Sequence, residues 1–313
     1  MYAHQAIEDL KKAKFVKYDS LYKKSTNKLI SKTNTSVHFH LPEMNSVWDL
    51  YRKSITGKKL FKESLNIRLP FDCCWFDYDV EDNGIPVSKG QYHSQKRGIL
   101  AVNTGINNLI KVNIVDYFGE PKKMWRLSFV EYFVLVNDSL RINKNALDYI
   151  ASFYSTEEIN HLLKKDANIF PHPILNYEKF NFENVNKAIS TTIEEGKVDL
   201  QHLACSLDLI NCKNITTQDI YPDKKLNNKR KKYGKRKLFT YKTLIIKPTG
   251  KKQKSQALQG LWDNRIHLCR GHFKEYTAEK PLFGKITGRY WWQPSIRGNA
   301  KNGMIVKDYE VKG

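Results

Sequence analysis

The spacing of apolar residues predicts helices at the start of the chain and strands after them. Residues 4–18 place Ala6 and Leu10 at helical spacing, which predicts an amphipathic helix. The stretch 19–36 is polar and rich in lysine, so we expect a loop there. Residues 44–55 begin with polar side chains that can cap a helix and continue with apolar ones, and they predict a second helix.

Four later segments predict the strands of a sheet, because apolar and polar residues alternate along parts of them and β-branched or aromatic residues are frequent. The first of them contains Pro70, which favours an edge or a bend. Consecutive strands of this kind predict an antiparallel sheet within 65–138, with one face covered by helices. The segments are 65–80, 98–105, 109–119 and 124–138.

Helical spacing returns in the middle of the chain, from 143 to 213. One helix in this region is expected to end at Gly196, because glycine adopts the left-handed conformation that closes many helices. A further buried helix is expected over 198–212, and a strand over 238–248. The predicted fold class is therefore α+β, with an antiparallel sheet, covering helices, a helical middle and a small basic C-terminal β-module.

The charge of the chain is concentrated at its C-terminal end. The whole sequence carries 53 Lys and Arg against 32 Asp and Glu, a net charge of +21. Residues 221–313 carry 24 basic and 6 acidic residues, a net charge of +18, which leaves +3 for residues 1–220. Such a field attracts polyanions. We therefore expect two domains, 1–220 and 221–313, and the alternative for the second is a solubilising tail.

The most basic stretch, 222–237, has low sequence complexity. A run of like charges repels itself, so the sequence predicts a segment that is mobile until a partner neutralises it. Four of its cations are candidate phosphate contacts: Lys231, Lys232, Lys235 and Arg236.

Several features favour a cytoplasmic protein that does not enter a membrane. The five cysteines show no spacing typical of a disulfide framework, which is expected in a reducing compartment. The N-terminal residues lack the apolar core of a signal peptide, and no apolar run has the length of a membrane span.

Cations, aromatic rings and glycines crowd residues 265–298. Guanidinium groups bind phosphates, and aromatic rings stack on exposed bases, so this region predicts a nucleic-acid surface. A structural role is the alternative, with arginine and histidine side chains bonded to main-chain carbonyls and Trp292 in the core of a small β-module. The candidate contacts are Arg265, Arg270, Arg289, Trp291, Trp292 and Arg297.

The same region also suggests a metal-independent ribonuclease. Such an enzyme needs a base, an acid and a cation for the developing charge. His267 and His272 are the candidate acid–base pair, and Arg270 is a candidate cation.

The sequence predicts neither a bound metal nor another cofactor. The His and Cys residues between 267 and 272 lack a CxxC pair, so they are a weak zinc motif. Asp72, Asp77 and Asp79 resemble the carboxylates of two-metal nucleases, but we favour solvent-facing positions on an edge strand for Asp77 and Asp79.

Two short motifs resemble those of a known family of phage and mobile-element proteins, which includes a type V-A anti-CRISPR protein. The motifs follow in the same order and cover under a fifth of the chain, and the basic stretch 222–254 has no counterpart that we can place. The motif residues are Leu69, Pro70, Cys73 and Asp77, then Arg265, His267, Arg270, Gly271, His272, Phe273 and Tyr276, then Arg289, Trp292, Gln293 and Pro294.

This resemblance implies an activity coupled to translation. The anti-CRISPR member is understood to recognise the nascent N-terminal polypeptide of its target nuclease and to cause loss of the encoding messenger RNA. The implied partners are RNA or ribosome-associated messenger RNA, together with the nascent polypeptide of a host defence protein. The resemblance carries no established catalytic role for the motif residues.

The leading functional hypothesis is a counter-defence or regulatory protein of phage type, acting in the host cytoplasm, that binds RNA and lowers expression of a host target. Two alternatives stay open. The chain is a metal-independent ribonuclease, or it is an inhibitor that binds a host defence complex through protein contacts alone.

Overall fold

The chain forms two compact units, described separately below. The first comprises residues 1–211 and 217–244, and the second comprises 212–216 and 245–313. The computed structural model describes residues 2–13, 19–41, 68–80, 94–106, 108–119, 123–135, 144–157, 159, 169–174, 185–246, 265–269, 271–292, 295–297 and 299–304. The helix expected over 44–55 lies outside the described residues.

The helices of the described residues are α1 (Ala3–Leu10), α2 (Ser20–Thr35), α3 (Lys144–Ala151), α4 (Val185–Ile210) and α5 (Lys224–Lys232). Their strands are β1 (Val37–His40), β2 (Cys73–Asp79), β3 (Ser94–Asn103), β4 (Leu109–Phe118), β5 (Met124–Leu135), β6 (Ile169–Pro173), β7 (Ile215–Ile220), β8 (Tyr241–Ile246), β9 (Arg265–Cys269), β10 (His272–Tyr276), β11 (Gly288–Trp292), β12 (Ser295–Arg297) and β13 (Asn299–Met304).

Eight strands form one sheet, in the order β6-β5-β4-β3-β2-β1-β8-β7 among the described residues. Neighbours from β2 to β6 are antiparallel, whereas β1 is parallel to both β2 and β8. The fold is therefore α+β, but the sheet is mixed and not antiparallel as expected. A parallel pair needs a long crossover connection, and residues 41–72 between β1 and β2 are long enough to supply it.

One core cluster of the described residues joins the sheet to the first two helices. Leu10 of α1 and Leu29 of α2 pack in one cluster with Trp75 and Trp125, and both indole rings are fully buried. Ala6 and Leu10 are buried as the amphipathic pattern predicts.

The expected loop at 19–36 is wrong, because α2 occupies it. Asp19 caps this helix by accepting a hydrogen bond from the backbone N–H of Tyr22 at 2.7 Å. Between the lysines, five residues at helical spacing form a buried stripe, and their packing stabilises the helix. Its members are Tyr22, Thr26, Leu29, Ile30 and Thr33.

The expected helical middle is interrupted by a strand. β6 pairs antiparallel with β5 and places Phe170 opposite Phe133, so pairing with the sheet outweighs the local pattern. The helix end expected at Gly196 is also wrong, since α4 continues to Ile210. A Cβ atom at Gly196 would lie 1.9 Å from the Tyr132 hydroxyl, so glycine is present for close packing and not for a cap.

The second unit contains two small sheets. β10 and β11 form an antiparallel pair, and β9 pairs antiparallel with β12 and parallel with β13. Asn214 joins this unit by bonding both the N–H and the carbonyl of Trp291, at 2.9 and 2.7 Å.

The division of the chain differs from the boundary expected at residue 220. Residues 217–244, which include α5, belong to the first unit. The first unit consequently carries 38 basic and 27 acidic residues, a net charge of +11, and the second carries 15 and 5, a net charge of +10. The basic excess is shared between the two units.

Candidate nucleic-acid interface

The basic run expected to be mobile forms the helix α5, and both of its ends are closed by local hydrogen bonds. Asp223 caps the N-terminus by accepting from the backbone N–H groups of Lys225 and Leu226, at 2.6 and 3.2 Å. At the other end Gly234 takes a positive φ of 64°, and the N–H of Lys235 reaches the carbonyl of Arg230 at 2.9 Å. This pattern is a Schellman ending, which satisfies the last carbonyls of the helix.

Three side chains fasten α5 within the first unit. Arg230 bonds Glu8 of α1 at 3.0 Å and the carbonyl of Arg236 at 2.6 Å. Asn227 accepts from the N–H of Leu238 at 2.8 Å, and Arg236 donates to Asn34 at the end of α2. None of the residues of α5 is buried, so these bonds, and not core packing, hold the helix in place.

The segment after α5 is clamped to β1. The ring of Phe239 stacks on buried His38 with 4.2 Å between ring centroids, and the guanidinium of Arg236 lies 5.1 Å from the Phe239 ring. Burial lowers the pKa of His38 to about 4, and Arg236 adds to this lowering. Burial likewise lowers the pKa of His4 to about 4, with Arg230 as the second cause. Both neutral histidines therefore lie near arginines that fix α5.

The outer surface of α5 is cationic and flanked by aromatic rings. Tyr221 before the helix is 73% exposed and Tyr233 at its end is 70% exposed. The expected contact residues Lys231, Lys232 and Lys235 are exposed, and Arg236 is half-buried. The exposed lysines within the helix are Lys224, Lys225, Lys229, Lys231 and Lys232.

The hairpin of β10 and β11 uses its rings and cations for its own packing. Trp291 is only 3% exposed, and its ring centroid lies 4.7 Å from that of Phe273. Phe273 is also covered by Arg289, whose guanidinium lies 4.9 Å from the Phe273 ring. Trp291 therefore cannot offer the free face expected for base stacking, and Trp292 is half-buried beside the cluster of Tyr276 and Tyr290.

Of the expected acid–base pair and its cation, only His272 has a described side chain. His272 is exposed at the start of β10, opposite Trp292. His267 lies on β9, and its backbone is in register with Arg297 of β12. Arg265 begins the same β9 strand. For these three residues only the backbone is described. Arg270 also lies outside the described residues, so the catalytic roles of His267, His272 and Arg270 stay predictions.

Asp77 forms a buried centre instead of the expected solvent-facing position. It is fully buried on β2, an interior strand. Its carboxylate lies 2.5 Å from Nδ1 of His40 and accepts from the Tyr2 N–H at 2.7 Å and the Trp75 indole at 3.0 Å. These donors make burial of the carboxylate tolerable. Asp79 shares this face, as expected, because it accepts from the Tyr2 hydroxyl at 2.6 Å.

A second buried charge cluster lines a cleft of about 140 Å³ between the sheet and α4. Arg97 bonds Asp199 at 3.0 Å and Asp116 at 2.9 Å, and Tyr78 also donates to Asp199 at 2.8 Å. Burial raises the pKa of Asp116 to about 6, although Arg97 opposes the rise. Both carboxylates pair with a resident arginine, so the cluster has a structural explanation.

The described ranges contain neither a metal-ligand cluster nor a helix able to span a membrane. Among these residues no group of three His, Cys, Asp or Glu side chains is arranged to hold a metal. None of their helices combines the length and apolar character needed to cross a bilayer.

Comparison with known proteins gives no relative. No protein-family model matches the chain, and no curated protein or solved structure is detectably similar to it. The motif resemblance to phage and mobile-element proteins therefore stays a prediction.

Of the two unexpected features, the helix α5 has a signal in the sequence and the His40–Asp77 pair has none. Asp223 before the basic run and Gly234 after it are the start and stop signals of a capped helix. For the His40–Asp77 pair there is no local signal, since the two residues are far apart in the chain and meet through the pairing of β1 with β2.

Proposed function

We propose that the chain is an RNA-binding protein whose contact surface is α5 with Tyr221 and Tyr233, here called the α5 surface. One observation carries this proposal. A helix with no buried residue is nevertheless capped at both ends and fastened by Arg230, Asn227 and Arg236. Such a helix gains little from core packing, so its ordered lysines are best explained by an anionic partner.

The chemistry of the α5 surface favours single-stranded RNA. Lysines attract the phosphate backbone without reading sequence. Exposed rings stack on bases that are not paired, and each stack contributes about 1–3 kcal/mol. Tyr221 and Tyr233 supply such rings at the two ends of the lysine row.

Within this proposal the protein acts as a counter-defence or regulatory factor of phage type that lowers expression of a host target. The support is the motif resemblance at Asp77 and at residues 265–294, together with the cationic surface. A factor of this kind acts on messages during translation, for which affinity toward RNA or ribosomes without sequence preference is suitable.

The test is equilibrium binding of the whole chain to a generic single-stranded RNA over a salt series. If the α5 surface neutralises about five phosphates, log Kd should change with log salt with a slope near 3.5, at about 0.7 per contact. Binding that is weak and independent of salt would contradict the proposal.

A metal-independent ribonuclease is the second candidate, and the His40–Asp77 pair is the observation that favours it. A buried carboxylate fixes the tautomer of an imidazole that is 16% exposed, as in general acid–base sites. Cleavage of RNA in excess chelator, lost in His40→Ala or in His272→Ala, would identify the responsible histidine. No cleavage by the purified protein would exclude this candidate.

A protein-binding inhibitor is separated from both by affinity purification before and after nuclease treatment. The RNA-binding proposal predicts that most captured partners are released by nuclease. Stoichiometric retention of a host defence protein after the treatment would favour the inhibitor.

A further inference from the structure

A second cationic feature of the first unit is a cleft of about 210 Å³ beside α2. It lies between α2 and strands β3 and β4, and α3 contributes Tyr149. This volume is below the range of about 300–1,000 Å³ that is usual for drug-sized ligands. The cleft therefore suits a single planar ring system.

The floor of the cleft is polar but already neutral. Lys111 pairs with Glu131 at 2.6 Å, and the amide of Asn113 donates to the same carboxylate at 3.2 Å. The Tyr149 ring is fixed at the side, with its centroid 5.6 Å from that of Phe133 in an edge-on arrangement. Apolar walls with a neutral polar floor and a fixed aromatic ring are typical of sites that hold a base.

The mouth of the cleft is positively charged. Lys28 and Lys32 are exposed on α2, one turn apart, and both line the cleft. Like charges at this spacing destabilise a helix by a few tenths of a kcal/mol. No carboxylate in the described part of the chain pairs with either lysine. The pair is thus placed to meet an external anion next to the cleft.

We propose that this cleft, here called the base cleft, holds one unstacked nucleobase of bound RNA while Lys28 and Lys32 contact the flanking phosphates. The inference rests on the proposed RNA-binding function and adds the place where a base is held. It explains together the size of the cleft, its neutral floor and the cations at its mouth.

The base cleft and the α5 surface both belong to the first unit, and both involve α2. Arg236, just after α5, donates to Asn34 on the last turn of α2. Six residues of helix separate Asn34 from Lys28, a distance of about 9 Å along the axis. Residues two positions apart do not share a helix face, so Asn34 marks where the segment after α5 meets α2 but does not lie beside Lys32.

The test compares an RNA oligomer with an abasic oligomer of the same length and backbone. The substitution Ser25→Phe fills the cleft from α2 without changing charge, and Ser25→Ala is its control. Loss of one stack should reduce the preference for the base-containing oligomer by about 5-fold or more, and leave abasic binding within about 2-fold. An unchanged preference, with RNA binding intact, overturns the base cleft but not the proposed function.

A charge test uses the same helix. The double variant Lys28→Gln/Lys32→Gln should lower the salt slope by about 1.4, at about 0.7 per contact. The matched variant Lys23→Gln/Lys24→Gln removes equal charge outside the cleft lining and should lower the slope less. Equal effects of the two variants would show that Lys28 and Lys32 make no specific phosphate contacts at the mouth of the cleft.

A photocross-link keeps the inference testable if Ser25→Phe fails to fold. RNA containing 4-thiouridine should form an adduct in the peptide that contains Tyr149 of the wild-type chain, besides adducts near α5. Adducts confined to α5 would overturn the base cleft. Free UMP that displaces the adduct as effectively as the oligomer would also overturn it, because the site would then serve a free nucleotide. Complete absence of RNA binding would instead reject the proposed function.

Discussion

Two basic regions of this chain use their charges differently. The helix α5 exposes five lysines, buries none of its residues and is fastened from its inner side by Arg230. The hairpin of β10 and β11 buries Trp291 and places Arg289 over Phe273, so its rings and part of its charge form its own small core.

This comparison shows that a region rich in basic and aromatic residues does not necessarily expose them for binding. Residues 265–298 have the richer chemistry, with Trp, Arg and His side by side, yet the described part of this region uses its rings for packing. The plain run of lysines at 224–232 offers more accessible charge. A small unit has little apolar surface, so its aromatic residues are needed for stability before they are available for binding.

Truncation of the buried ring should give the largest effect. We expect Trp291→Ala to destabilise the second unit by about 3–5 kcal/mol, because it removes a fully packed indole. Hydrogen exchange of residues 271–292 measures this loss. The control Phe283→Ala, at a side chain 69% exposed, should cost little. If Trp291→Ala leaves the hairpin intact and abolishes RNA binding, Trp291 is a binding residue and not a core residue.

Acidification should loosen the α5 surface. The pKa values of His4 and His38 are lowered to about 4 by burial, so their stabilising effect is present above about pH 6.5 and is lost as pH falls toward about 4. The upper limit of this loss is about 3 kcal/mol for each histidine. Asp116, with a raised pKa of about 6, acts in the opposite sense across the same range.

The variant His38→Phe isolates this effect, because it keeps a ring against Phe239 and removes the titration. At equal pH between about 4 and 6.5, the α5 amides of the wild type should exchange faster than those of the variant. Equal exchange at every pH would show that His38 does not control the clamp.

Removal of an exposed ring should change binding but not stability. Tyr233→Ala and Tyr221→Ala should each weaken RNA affinity by about 1–3 kcal/mol if the ring stacks on a base. The melting temperature should change little, since both side chains are at least 70% exposed. Fluorescence anisotropy with a labelled oligomer measures the affinity, and unaltered affinity in both variants would remove stacking from the account.

Loss of the helix cap should give the smallest effect. Asp223→Ala removes two hydrogen bonds to the first turn of α5 and should cost about 1 kcal/mol of local stability. Asp223→Asn keeps an accepting oxygen and should recover most of it. Circular dichroism during thermal unfolding, together with RNA affinity, tests whether an ordered helix matters for binding.

Local patterns in the sequence predict much of the sheet but not its long-range pairing. Strands β3, β4 and β5 lie near their expected segments, because each has a strong local pattern. The strand β1 has only four residues and gains its place through parallel pairing with β2, which no local pattern encodes. Gly196 shows the same limit, since its close approach to Tyr132 is a tertiary contact.

In the candidate site, too, local features are visible in the sequence and long-range contacts are not. The charge excess was visible in the composition, and the ends of α5 are encoded by Asp223 and Gly234. The bonds from Arg230 to Glu8 and from Arg236 to Asn34 join residues more than 200 positions apart. Attachment of the lysine row to the first unit therefore could not be predicted from the sequence.

The most direct measurement compares the salt dependence of RNA binding in two charge-matched variants. One is Lys229→Gln/Lys231→Gln/Lys232→Gln on α5, and the other is Lys274→Gln/Lys280→Gln/Lys285→Gln in the second unit. We predict that the α5 variant lowers the log–log slope by about 2, at about 0.7 per contact, and that the other variant changes it little. A full loss of slope in the second-unit variant, with the α5 variant unchanged, would contradict the central claim.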